Sequence, residues 1–520
     1  DLHSFPTRRS SDLNRLLSGK EYTVSGILMD KDTGKPMLDG SGKEIKGEIT
    51  FTAVGSSGEV NVKYTVDAEK LKGRKSVVFE KLFYKGKQVA KHEDIKDNGQ
   101  TVIFPEIKTK AIDKETDDHV GSLDEKIEIV DTVSYTNLIK DKEYTVSGVL
   151  MDKETGKSIL DESGKEIKAF KKFTAKESSG SIDISFFVNS KLLKGKTVVV
   201  FEDLKYKDIK VGIHADIKDE EQSVYFPKIT TAARDFHSKE QLSLSKPKTT
   251  VIDTVSYENL VKGKEYTVSG KIMDKETGKP ILSLDGKEIT GGTKFSPKAG
   301  KGDIRVIYTL DTVMLKGKDI VVFEEMYFKN KLIAEHKDIS DEGQTVHIPE
   351  LKTKALEKGT NKNVISPKKV NIIRDTAWYK NLMPGKKYIV RALLVDKKTG
   401  RRLVETLTKK EFTPSTKDGE FTIDLKLDGI KYAGKKLVVF EYVSLKKDKQ
   451  VTVAEHTDIT SKEQTVEIEN VGRLEINDTN KFGGVFTGDN SRLLFYIAIF
   501  LIAAGTYVVA VKKKNKGGRL

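Results

Sequence analysis

The sequence contains no cysteine. That excludes disulfides, thiolate metal sites and a cysteine nucleophile. A body exposed to load or proteases would have to be secured by other means. Tryptophan occurs once, and no cluster of large aromatics marks an exposed ligand-binding patch. No long 3.6-residue apolar periodicity appears before the C-terminal end. Residue 1 is Asp and no secretory signal is visible. The opening DLHSFPTRRSSDL (residues 1–13) matches nothing downstream and is set aside as a non-native leader.

Charge, by contrast, is plentiful: 33% of residues are Asp, Glu, Lys or Arg, with a formal excess of +14. Nucleic acid is not the expected partner. The lysines are spread along the whole chain among acids, without a basic patch interleaved with aromatics. Solvated strand faces and edge-strand lysines account for them. A chain of 520 residues exceeds one ordinary core, so several domains are expected.

Internal self-similarity supplies them. DTVSYTNLIKDKEYTVSGVLMDKETGK begins at Asp131, a near-copy at Asp253 and a looser copy at Asp375. A truncated copy begins at Gly19. A period of 122 residues is a whole domain rather than a solenoid unit. Pro105, Pro227 and Pro349 recur at one position and mark short boundaries. The expected organisation is repeats at 14–104 (truncated), 105–226, 227–348 and 349–468, then a linker at 469–492. Within each repeat, segments such as KEYTVSGVLMD and KTVVVFEDL are short, β-branched or alternating, and DKETGK is a hairpin turn. About seven such strands predict an all-β chain of tandem immunoglobulin-like sandwiches.

Five polar residues keep step with the period. They are Thr132, Asp152, Glu202, His214 and Gln222; then Thr254, Asp274, Glu324, His336 and Gln344; then Thr376, Asp396, Glu441, His456 and Gln464. The truncated copy keeps Asp30, Glu80, His92 and Gln100 without the threonine. A glutamate closing the apolar run VVFE is costly unless paired or protonated. Recent duplication alone would preserve any residue, Asp before a turn is usually a turn residue, and Thr in a strand is an ordinary β-former. Against that, the fourth copy has diverged widely and still holds all five.

The ordered pattern DTVSY, SGxLMD, VVFE, AxHxDIxDxxQTV over about residues 19–468 resembles the VaFE-repeat surface proteins and their Thr–Gln ester-bond domains, from cell-wall-anchored adhesins of Gram-positive bacteria. The resemblance implies an intramolecular ester in each complete repeat: Thr132 with Gln222, Thr254 with Gln344 and Thr376 with Gln464. It implies assistance from the Asp, Glu and His of the same copy, with no metal or cofactor. A hydroxyl attacking a carboxamide needs a base, and ammonia leaves only when protonated, so two carboxyls sharing one proton suit the exchange. Each domain would react once, as maturation rather than turnover.

Leu493–Val511 runs without a charge and would span roughly 28 Å as a helix, followed by the basic tail 512–520. This predicts one C-terminal transmembrane helix with the C-terminus cytoplasmic and the repeats outside. Thr487-Gly488 resembles a sortase site, although Gly484-Val485 stand where Leu-Pro is usual. The expectation is a structural stalk on the cell surface, anchored to wall or membrane, with a sortase as one partner and a host ligand reached through a missing N-terminal head. Competing readings are ligand-binding adhesin repeats, a wall-anchored hydrolase using the Asp and Glu, and lysine–asparagine isopeptide chemistry, for which Asn137, Asn259 and Asn381 fit better as turn residues.

Overall fold

The computed structural model describes residues 7–447 and 451–470. The expected span 493–511, the tail 512–520 and Thr487-Gly488 lie outside the described residues. Among those described, no helix is long and apolar enough to cross a membrane.

The second repeat serves as the reference. Its strands are β1 (Glu106–Asp113), β2 (Ile127–Thr136), β3 (Glu143–Asp152), β4 (Lys168–Thr174), β5 (Gly180–Val188), β6 (Thr197–Tyr206), β7 (Ile209–His214) and β8 (Ser223–Tyr225). They form a three-stranded sheet, β5-β2-β1, and a five-stranded sheet, β4-β3-β6-β7 with β8 also on β6. Alternation decides what each sheet buries. Ile107, Ile129, Val133, Ile184 and Phe186 of the smaller sheet share one apolar core with Val146, Leu150, Val198 and Val200 of the larger. Every pairing between these eight strands is antiparallel.

Repeats 3 and 4 reproduce this arrangement, repeat 4 with a sixth strand, Val364–Ile365, on the larger sheet. Repeat 1 does not. Thr7–Asn14 takes the place of β2 against Ser57–Tyr64, but that sheet has only two strands. Among the described residues, β1 has no counterpart in repeat 1. A groove of about 440 Å³ lined by Leu13, Val24, Glu80, His92 and Gln100 lies open there.

Candidate functional site

The site forms where β1 and β2 meet β6 across the core. On β6 the inward positions are Val198, Val200, Glu202 and Leu204, so the glutamate points into the sandwich by strand parity. Glu202 sits in register between Gly148 and His214. Gly148 is needed opposite it: a Cβ there would lie 2.7 Å from Phe186 and 2.8 Å from Ile184. On β2 the inward residues are Ile127, Ile129, Asp131, Val133 and Tyr135, and Asp131 is fully buried between Ala111 and Ile184. Thr109, on β1, faces the same way. Gln222 precedes β8, with its backbone carbonyl held by Val200 N–H at 3.2 Å. Ala111 N–H donates to Glu221 O at 2.9 Å, which draws β1 onto the glutamine segment.

These placements bring four side chains together. Gln222 Nε2 lies 2.7 Å from both Glu202 carboxylate oxygens and in contact with Thr109 Oγ1. In repeat 3, Gln344 Nε2 donates to Glu324 Oε2 at 2.7 Å, and the buried Thr231 hydroxyl, at the position of Thr109, has no hydrogen-bond partner among the described residues. In repeat 4, Gln464 Nε2 donates to Asp375 Oδ2 at 3.3 Å, and the buried Thr353 hydroxyl is likewise unpartnered there. All three glutamines are fully buried.

The electrostatics follow from burial. Removing two carboxyls from water and setting them side by side disfavours their joint ionisation. Burial pushes Asp131 up to about 6, a rise held back by a hydrogen bond from Glu202 and by His214. Burial and the facing Asp131 push Glu202 well above the usual carboxylate range. What relieves Asp131 is first the neighbouring Glu202 carboxyl, then His214 and the Lys110 backbone. Burial also raises Asp253 and Glu324, and it takes Asp375 to about 7 beside a strongly raised Glu441. In each pair, then, burial and mutual repulsion disfavour double ionisation, and the glutamate is pushed up strongly.

His214 is oriented from outside the pair. Its Nε2 meets Asp219 Oδ2 at 2.8 Å, as His336 meets Asp341 at 2.7 Å and His92 meets Asp97 at 2.8 Å. In repeat 4 Ser461 replaces that aspartate, and His456 Nδ1 is buried without a partner among the described residues.

Of the residues expected from the sequence, Glu202, Glu324, Glu441, Gln222, Gln344 and Gln464 lie in these sites, and His214 and His336 border them. The other two classes do not. Thr132, Thr254 and Thr376 follow Asp131, Asp253 and Asp375 and so point to the outer face of the strand; Thr132 donates instead to Asp183 Oδ1 at 2.8 Å. Asp152 caps the turn after β3, accepting from Glu154 N at 3.0 Å and Thr155 N at 3.1 Å, with Lys196 at 3.2 Å. Burial alone would raise it, but those amides and the lysine bring it below the usual carboxylate range. Asp30, Asp274 and Asp396 make the same turn and are lowered for the same reasons. Sequence reading thus missed Thr109, Thr231 and Thr353, the acids Asp131, Asp253 and Asp375, and the histidine partners Asp219 and Asp341. The threonines recur at 122-residue spacing in EIKTKAID, KITTAARD and ELKTKALE, just after the boundary prolines.

The family described as T-Q ester bond containing domain matches four stretches, 12–104, 105–226, 227–348 and 349–468. No curated protein matches the chain. Solved structures it is similar to include a Mobiluncus mulieris adhesin containing intramolecular disulfide, isopeptide and ester bond cross-links, at 15% identity over 42% of this chain and 80% of that one, TM-score 0.21. A tetra-tandem repeat from the extending region of a large adhesion protein shows 11% identity over 86% and 93%, TM-score 0.21. The C-terminal domain of the Streptococcus agalactiae AgI/II polypeptide BspA shows 11% identity over 45% and 98%, TM-score 0.24. Likeness at this level carries no statement about chemistry.

Proposed function

We propose, for a chain that belongs to the T-Q ester bond containing domain family, that repeats 2, 3 and 4 cross-link themselves through Thr109–Gln222, Thr231–Gln344 and Thr353–Gln464. The observation that carries this reading is the Gln222 carboxamide lying against both Thr109 Oγ1 and the Glu202 carboxyl in a closed pocket.

The chemistry follows from the shared proton. Asp131, the more acidic member, takes the proton from Thr109 Oγ as that oxygen bonds to Gln222 Cδ. Glu202, adjacent to Nε2, gives its proton to the departing nitrogen, and the C–N bond breaks with loss of ammonia. The products are one ester and one ammonia, and the pair is left with one proton between its members. His214, in register with Glu202 and fixed by Asp219, positions the pair and favours the charge on Asp131. Burial keeps water from the ester. Each domain reacts once, so this is self-modification and not turnover.

The topology suggests the purpose. Thr109 lies four residues from the start of its repeat and Gln222 four from the end. A bond between them carries tension past the 112 residues in between, and consecutive bonds are joined by segments as short as 223–230. By analogy with disulfides, closing such a loop contributes about 5 kcal/mol through the unfolded state. In a chain without cysteine this favours a mechanically and proteolytically resistant stalk of immunoglobulin-like domains in a surface-anchored adhesin, with wall or membrane as its anchor. Intact mass of the folded chain tests the chemistry: a deficit of three ammonias supports it, and an unmodified mass refutes it.

A further inference from the structure

The loop joining β1 to β2 is tied to its own repeat, Tyr225 N–H donating to His119 O at 2.7 Å and Gly121 N–H to Tyr225 O at 2.8 Å, and it also reaches the following repeat. In repeat 2 this trailing loop (114–126) places Asp118 between two lysines of repeat 3. Lys264 Nζ lies 2.6 and 2.7 Å from its two oxygens, and Lys329 Nζ lies 3.2 Å away. Only 12% of the Asp118 side chain is exposed, and the lysines hold it below the usual carboxylate range despite a burial that would raise it. Both ammonium groups rest over the Phe328 ring, at 5.5 and 5.3 Å. Around this pair Lys331 meets Glu115 at 2.6 Å, Leu123 N–H donates to Leu332 O at 2.8 Å, and Val120 joins the apolar core of repeat 3.

The next junction repeats the device. Glu240 of repeat 3 meets Lys386 at 3.2 Å and also contacts Lys447, both of repeat 4, while Leu242 and Leu244 join the repeat 4 core. The positions are equivalent by backbone as well as by number. Asp113 N–H donates to Asp118 O, Asp235 N–H to Glu240 O and Glu357 N–H to Lys362 O, at 2.8, 2.9 and 2.8 Å. Repeat 4 therefore has a lysine, exposed Lys362, where the two preceding trailing loops have an acid. The receiving lysines recur too: Lys142 and Lys207 of repeat 2 stand where Lys264 and Lys329 stand in repeat 3. Both are exposed, and among the described residues no trailing loop of a preceding repeat reaches them.

We infer that each repeat presents a two-lysine receiving face that fits the acidic trailing loop of another repeat of the same kind, and that the residue at position 118, 240 or 362 selects whether a repeat can stand in front. Asp118 and Glu240 qualify their repeats to precede another. Lys362 disqualifies repeat 4, since its ammonium would confront a receiving lysine pair. The inference is independent of whether the esters form.

Hydrogen exchange of the full chain, followed by mass spectrometry, tests it. Asp118→Lys is expected to speed exchange across 114–124 by about tenfold or more, because the most buried partner of a half-covered ion cluster is reversed. Adding Lys264→Glu and Lys329→Glu should restore protection, and Lys362→Glu alone should leave all four repeats as they were. Asp118→Asn gives a milder version should the reversal disturb folding of its loop. Unchanged exchange at 114–124 in both Asp118 variants, or no recovery on reversing the lysines, would overturn the selector and leave the junction to Val120 and the backbone bond.

Discussion

Repeats 1 and 2 share the glutamate, histidine, aspartate partner and glutamine of the site, yet only repeat 2 assembles it. In repeat 2 the glutamine is fully buried, 2.7 Å from both glutamate oxygens and against a threonine hydroxyl. In repeat 1 Gln100 is half-buried, its Nε2 reaches Glu80 Oε2 only at 3.5 Å, and His92 is exposed. Two things differ, the covering strand and the second acid. β1 supplies the threonine hydroxyl, covers the pocket and, through Ala111 N–H, fixes the glutamine segment, while β2 supplies the second acid. At that second position repeat 1 has Arg9. The reactive set is thus a product of strand assembly: half of its members, present without the covering strand, form an open groove.

That contrast can be broken deliberately. The largest effect belongs to the acids. Asp131→Asn or Glu202→Gln should slow cross-linking of repeat 2 by at least about 10²–10⁴-fold, read as one fewer ammonia lost, while repeats 3 and 4 react normally. Next comes stability. Thr109→Ala should lower the denaturant resistance of repeat 2 by about 5 kcal/mol and leave repeat 1 unmoved. Under force, repeat 1 should unfold in a full-length step while repeats 2–4 do not.

Repeat 4 sharpens the comparison from the other side, since its site is buried but its histidine has lost the orienting acid. Ser461→Asp should speed cross-linking there, and Asp219→Ser should slow repeat 2, each by roughly tenfold. The pH profile follows the same order. Reaction requires Asp131 ionised and Glu202 protonated, so the rate rises as pH passes the lower of the two values and falls once the upper one is lost. The rising limb should lie near 6 for repeat 2 and near 7 for repeat 4, measured by mass after refolding at fixed pH. The smallest effect is expected in repeat 3, where Tyr308 OH donates to Glu324 Oε1 at 3.1 Å; Phe186 and Leu425 stand there in repeats 2 and 4. Tyr308→Phe should change the rate in repeat 3 by only about two- to fivefold.

Much of this was legible in the sequence, and the errors have physical causes. The period, the β character and the Glu, His and Gln of each site were readable because they sit in long recurring motifs. The threonine was not, because Asp131-Thr132 recur as a unit and only strand register tells which of two neighbours points inward. Asp152 ends an apolar run, which suggested reactivity, but the DKETGK turn uses that carboxylate to bind two backbone amides. Thr109 lies just past Pro105, where the chain seemed to be only starting a new domain. Asp219 stood in the same motif as the histidine it orients, and only its distance to Nε2 gives it a role.

The most direct test sets two single variants side by side. Intact mass of the folded chain should show Thr109→Ala losing two ammonias and Thr132→Ala losing three. The reverse pattern, with Thr132→Ala losing two and Thr109→Ala losing three, would contradict the assignment of the inward-facing β1 threonine as the ester partner of Gln222.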